Sequence, residues 1–105
     1  MPIDDPVLEK YRAAVRELYG DRIERIVLYG SRARGDARPD SDYDVAIFLK
    51  DLGSRLQEGR PLADIELAVM DETGAIVSAL LYPAGHWKDA ISPLMSEIRK
   101  DGLDL

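Results

Sequence analysis

Ile23-Glu24-Arg25-Ile26-Val27-Leu28-Tyr29-Gly30-Ser31 and, one loop later, Ser41-Asp42-Tyr43-Asp44-Val45-Ala46-Ile47-Phe48-Leu49 are the stretches on which the fold turns. Within them Ile23 to Tyr29 and Asp42 to Leu49 each read as a strand, because β-branched, aromatic and apolar residues fit a pleated, half-buried surface. Gly30-Ser31 ends the first strand abruptly, and Ser31 is placed to cap a short helix reaching about Gly35. Ala37 to Ser41, with Pro39 and small polar residues, is the connecting loop. Asp42 and Asp44 are two residues apart, so on a strand their carboxylates share one face. Ala46 and Phe48 continue that face, which puts the acids at its wet end and core beyond them.

Outward from this centre the chain alternates helices and strands. Asp5-Pro6 marks a helix start, with Asp5 as cap and Pro6 at the first helical position. Val7, Leu8, Tyr11, Val15 and Leu18 recur at helical spacing up to Gly20. Beyond the second strand, Gly53, Gly59 and Pro61 interrupt any helix between Lys50 and Arg60. Leu62, Ile65, Val69 and Glu72 mark a helix stopping near Gly74, and Ala75 to Leu81 forms a third strand closed by Pro83 and Gly85. Trp87, Ile91, Leu94, Met95 and Ile98 give a last helical stripe, with Ser92-Pro93 restarting it and Gly102 ending it. The expectation is one α/β (α+β) domain over residues 1–105, a small mixed β-sheet flanked by helices.

Composition narrows the chemistry. With 105 residues there is room for one compact domain, and 46% hydrophobic residues supply a core. No cysteine is present, which removes disulfides, thiolate metal ligands and thiol nucleophiles. Fourteen Lys and Arg against 20 Asp and Glu give a net charge of −6, a field that repels nucleic acid. Arg32, Arg34 and Arg38, interleaved with Asp36 and Asp40, suit one bound phosphate group better than a long polyanion. Met1 to Asp5 lack the basic and apolar regions of a secretory signal, and no stretch approaches the roughly 20 apolar residues of a membrane span. A cytoplasmic protein without membrane contact is expected.

Glycine at a strand end lets backbone approach a phosphate, and the amides of the following turn with the Ser31 hydroxyl supply donors. Two carboxylates on one face make a hard, all-oxygen site suited to magnesium, which is bound by one or two carboxylates plus substrate phosphates. Taken alone, Asp42 and Asp44 fit the plainer reading of loop acids satisfying turn amides; Gly30-Ser31 beside them shifts the balance to a site. Asp40, Asp42 and Asp44 are not an EF-hand, since Val45 stands where the loop needs glycine and a strand follows. Gly30 and Gly35 are not a P-loop, since Asp36 replaces the lysine. His86 is the only histidine and reads as a loop or helix-start residue. Trp87 and Met95 read as core. Tyr29 and Tyr43 flank the site, where base stacking and sheet packing explain them equally well.

Gly30-Ser31-Arg32-Ala33-Arg34-Gly35 followed by Ser41-Asp42-Tyr43-Asp44-Val45 resembles the minimal nucleotidyltransferases of the DNA polymerase beta superfamily, which carry a Gly-Ser turn and an Asp-x-Asp strand. The resemblance implies the nucleotidyltransferase fold, with Gly30 and Ser31 holding the triphosphate of ATP. Asp42 and Asp44 become catalytic residues binding Mg2+, and Arg32 and Arg34 neutralise phosphate charge, the plainer alternative being that one of these arginines pairs with Asp36 or a helix terminus. Ser41 joins the nucleotide-binding set, chiefly by orienting the loop. Active members of the family add a third carboxylate on the next core strand. In Ala75 to Leu81 no acid occupies it, and Ser78 stands at that position; Asp64, Glu66, Asp71 and Glu72 are nearby in sequence without clear placement.

Two functions follow. In the first, the chain transfers AMP from Mg-ATP to a hydroxyl of a partner protein. The resemblance implies that the partner is a HEPN-type toxin, with this chain as its antitoxin. In 105 residues no separate acceptor-binding domain is expected, and the acceptor surface is expected from the partner. In the second, the chain is a catalytically degenerate nucleotidyltransferase fold acting as antitoxin or binding module by contact. A nucleotide-responsive regulatory subunit is a third, weaker reading.

Overall fold

Asp5 begins the computed structural model, which describes residues 5–105; the amino-terminal stretch read above for a leader lies largely outside it. Helix α1 spans Pro6–Tyr19, capped by the Asp5 carboxylate, which accepts from the Val7 amide at 2.9 Å. The other Asp5 oxygen accepts from the Tyr43 hydroxyl at 2.9 Å, so the cap also ties the helix to the strand that carries the acids. After a 3-10 turn at Gly20–Arg22, strand β1 runs Ile23–Tyr29, and the four-residue helix α2 occupies Ser31–Arg34. Strand β2 is Tyr43–Leu49, helix α3 Arg55–Thr73 and strand β3 Val77–Pro83. A 3-10 turn at His86–Lys88 leads to helix α4, Pro93–Asp101, and a two-residue strand β4, Leu103–Asp104.

The described residues form one mixed sheet in the order β3-β2-β1-β4. β2 runs antiparallel to β1 and parallel to β3, and α3 makes the crossover that a parallel pair requires. The expected α/β class, mixed sheet and flanking helices are all present. β2 is buried on both sides, which explains why its apolar run is continuous rather than alternating. Tyr43, Val45, Ile47 and Leu49 face α1 and α3, while Ala46 and Phe48 face Met95 and Ile98 of α4. The two layers of helix therefore divide at β2, and the acid-bearing face belongs to α4.

Four expectations need correction. Ser31 is the first residue of α2 rather than its cap; Gly30 holds the cap position, and no side chain caps the turn. Gly53 lies ahead of the helix, but Gly59 and Pro61 do not break it: α3 starts at Arg55 behind the Ser54 cap and passes through both. The proline deprives the Gln57 carbonyl of its helical donor. Burial of Leu62 and Val69 against the sheet outweighs that loss, and the Tyr19 hydroxyl donates to the adjacent Glu58 carbonyl at 2.6 Å. Leu18 and Ile91, both on apolar stripes in the sequence, are 37% and 90% exposed, and Tyr19 is the buried residue at the end of α1. Trp87 sits in its own 3-10 turn, where its indole N–H donates to Glu24 at 3.1 Å, and packs against the α4 layer from there.

The Ser92 hydroxyl accepts from the Met95 amide at 3.2 Å and caps α4. Ser92→Ala is expected to cost about 1 kcal/mol, the usual loss for a helix N-cap, measurable by urea unfolding.

Glu66 is half-buried on α3, within 3.5 Å of the Tyr11 hydroxyl, and burial pushes its carboxyl up to about 7. Its folded-state affinity for a proton exceeds that of the unfolded chain. Glu66 therefore contributes stability fully below its ordinary value of 4.5, and that contribution is lost as pH rises through about 7. Glu66→Gln should raise the Tm relative to wild type at pH 8, with the gain fading at pH 4. A gain independent of pH would contradict the assignment.

Candidate functional site

Gly30 closes β1 with φ +77° and ψ −157°, a backbone conformation that L side chains rarely adopt. A Cβ built there would lie 2.6 Å from Asp44 Oδ2. The turn and the acidic strand thus meet directly, with the glycine Cα against the carboxylate. Register explains the meeting: Tyr29, the last residue of β1, pairs with Asp44 near the start of β2.

Beyond Gly30 the chain curls into α2, and the amides of Ala33 and Arg34 both return to the Gly30 carbonyl at 3.1 Å. The amides of Ser31 and Arg32 have no hydrogen-bond partner among the described residues, the usual condition of helix-start donors. Ser31 is partly exposed beside them.

Two arginines of α2 do different work. The Arg32 guanidinium stacks 3.9 Å from the Tyr43 ring centroid. Its Nε and Nη2 donate to the Ser41 carbonyl at 3.1 and 2.8 Å, and Nη2 reaches the Pro39 carbonyl at 3.2 Å. The Ser41 hydroxyl accepts from the Arg38 amide at 2.9 Å. Arg32 and Ser41 together shape the loop that delivers Asp42. Arg34 is exposed and pairs with Asp36 at 3.3 Å and Glu97 at 3.1 Å, which keeps it beside the acids.

Asp42 is exposed and lines a cleft of about 440 Å³ shared with Arg32, Ser41 and the turn from Thr73 to Ile76. Asp44 is partly buried. Burial, and then the charges of Asp42 and Glu97, hold its carboxyl above the usual range, with Arg34 opposing them. Beside it, burial and the Asp44 charge push the Tyr29 hydroxyl up to about 12. Tyr43, by contrast, turns to the other side of the sheet and contributes through its stack on Arg32.

Ser78 pairs with Asp44 in the β2–β3 register and is exposed, so it stands beside Asp44 at the position where a third acid was sought. Asp64, Glu66, Asp71 and Glu72 all belong to α3. Among the described residues no three carboxylate or imidazole groups converge into a metal cluster. The acid that does approach is Glu97, which the sequence reading did not consider. It follows Met95 and precedes Ile98, the two buried anchors of α4, and only the docking of that helix against Val27 and Phe48 brings it to the dyad.

The model of the nucleotidyltransferase domain matches residues 8–98, from α1 to α4. The chain belongs to the nucleotidyltransferase domain family. This nucleotidyltransferase domain is similar to two Methanocaldococcus jannaschii proteins assigned as protein adenylyltransferases. One is 26% identical over 76 residues, covering 72% of this chain and 76% of the relative. The other is 31% identical over 94 residues, covering 88% of this chain and 64% of the relative.

Solved structures share the fold of the nucleotidyltransferase domain. A chain of a toxin–antitoxin complex with AMP-PNP superposes with a TM-score of 0.63 at 16% identity, over 91% of this chain and 70% of that one. A minimal nucleotidyltransferase gives 0.60 at 22% identity, over 94% and 92%. A chain of the complex of tri-AMPylated Shewanella oneidensis HEPN toxin with MNT antitoxin gives 0.53 at 13%, over 93% and 70%. No helix of the described residues is long and apolar enough to cross a membrane.

Proposed function

We propose that this chain transfers AMP from Mg-ATP to a hydroxyl of a partner protein, and that the partner is a HEPN-type toxin which it neutralises as an antitoxin. The observation that carries the reading is the contact of Gly30 with Asp44, which supports a single site made by the Gly-Ser turn and the acids. The relatives' assigned activity and the AMPylated toxin in a complex of like fold support the direction of the chemistry.

Asp42 and Asp44 are the residues that would hold magnesium. The donor set fits: two oxygen ligands in a place where Asp42 and Glu97 already raise the proton affinity of Asp44, a crowding of negative charge that a cation relieves. Bound there, the ion supplies positive charge against the triphosphate. Gly30 admits the phosphate to the backbone, and Ser31 offers its hydroxyl with the amides of Ser31 and Arg32. Arg34 offers its remaining guanidinium donors to phosphate oxygens. Arg32 and Ser41 act in nucleotide binding by holding the loop, since the Arg32 fork is spent on the carbonyls of Pro39 and Ser41. The whole reading treats the chain as one functional domain.

Ser78 beside Asp44 favours a second reading, in which the fold neutralises its partner by contact without turnover. Incubation with labelled ATP, magnesium and a HEPN-type toxin separates the two. Label transferred to the toxin by wild type and lost in Asp42→Asn supports transfer. A stable complex carrying no label supports contact alone, and neither label nor complex overturns the partner assignment.

A further inference from the structure

β3 is an edge strand, paired only on its β2 side among the described residues. Natural proteins blunt such edges with charge, bulges or cover. This one is flanked instead by Leu67, Met70, Ile76 and Leu80, all of which are 41% exposed or more. Two hollows run along it. One of about 400 Å³ is lined by Ala63, Glu66, Leu67, Met70 and Ile76 to Ser78. The other, of about 240 Å³, is lined by Arg55, Gly59, Ala63, Glu66 and Ala79 to Tyr82. Ala63 and Glu66 line both, so the hollows adjoin along a trough between α3 and the strand, with Glu66 between them. Residues 76 to 82 supply side chains from both faces of β3, so the trough straddles the free edge.

The backbone along that edge is open. The Ile76 carbonyl accepts from the Tyr43 amide at 2.9 Å and so points toward β2. By the alternation of a strand, the N–H and C=O groups of Val77, Ala79 and Leu81 point the other way. Glu66 has no ion-pair partner among the described residues, and burial already raises its proton affinity, a cost that a cation would remove. At the far end, Arg55 is stacked 5.3 Å from the Tyr82 ring.

We infer that the α3–β3 trough takes an extended segment of another protein, adding a strand to β3 with alternate apolar side chains and one lysine or arginine set against Glu66. Charge selects this occupant. A second copy pairing β3 to β3 about a two-fold axis would set two half-buried Glu66 carboxylates across one short seam, between chains of net charge −6. A cationic strand meets a complementary carboxylate, and strand addition satisfies the open edge.

The test uses the whole chain, isotope-labelled for NMR, and the peptide acetyl-Thr-Val-Lys-Val-Thr-Val-amide. Saturable shifts are expected at the amides of Val77, Ala79 and Leu81. Binding should weaken at least tenfold when glutamate replaces the peptide's lysine, and likewise in Glu66→Gln. Ala79→Pro should abolish binding while sparing the β2–β3 ladder, because its N–H faces outward; Glu66→Gln and the exchanged peptide decide the matter if that variant does not fold. Three results would overturn the inference: no shifts along β3, shifts confined to α3 as for a docked helix, or a β3-paired dimer of the chain by sedimentation. None of these measurements depends on ATP or on a toxin.

Discussion

Asp44→Asn is expected to remove magnesium-dependent ATP binding while leaving the chain as stable as wild type or more so. The two effects have one cause. Asp44 sits against the Gly30 backbone, partly buried, with Asp42 and Glu97 close enough to raise its proton affinity. Because its folded-state pKa lies above the ordinary 3.8, the charged form costs stability at neutral pH, and asparagine removes that cost. The same charge is what would draw a cation to the site. Loss of a group supporting a metal site costs roughly 10–100-fold in affinity, and loss of a direct ligand should fall at or beyond the top of that range. Calorimetric titration with ATP, with and without magnesium, reads the first effect. Thermal unfolding at pH 7 and pH 3 reads the second: the variant's advantage should shrink in acid, where both side chains are neutral. Retention of metal-dependent binding by the variant would end the assignment of Asp44 as a ligand.

Gly30→Ala is expected to damage both stability and the site. The backbone conformation at Gly30 is one that only glycine adopts readily, and forcing another residue into it costs about 1–3 kcal/mol. The added methyl would also collide with the Asp44 carboxylate, so the acid must move. Gly35→Ala is the control. Gly35 also has positive φ, +84°, but nothing lies within 4 Å of a Cβ built there. Both variants should unfold at lower denaturant than wild type. Only Gly30→Ala should also lose ATP affinity, by at least tenfold; equal affinities in the two variants would mean that the Gly30–Asp44 contact does not belong to the nucleotide site.

The central strands and the helices beginning at Pro6 and Pro93 were legible in the residues, because period and punctuation are local properties. Asp5-Pro6 and Ser92-Pro93 both read as helix starts and both are. Local rules failed where packing overrode them. Gly59 and Pro61 argue against a helix, yet a 19-residue helix runs through them because its buried face rests on the sheet. Ile91 lies on an apolar stripe in sequence and in solvent in the fold, since the chain turns before α4 begins. The strand pairing of Leu103 and Asp104 with β1 carries no local signature, as two residues show no period.

What the order of residues determined by itself was the inventory: a Gly-Ser turn after one strand, two acids around the start of the next, of which only Asp44 lies within the strand, and serine where an acid was sought on the third. These follow from spacing and side-chain alternation, which need no knowledge of neighbours distant in sequence. Tertiary structure alone decided which groups share the space around Asp44. It set the Gly30 backbone against that carboxylate, brought Glu97 across from α4, spent Arg32 on its own loop and left the edge of β3 open. Such convergences depend on how helices and strands pack across the sheet, a long-range property that no window of sequence contains.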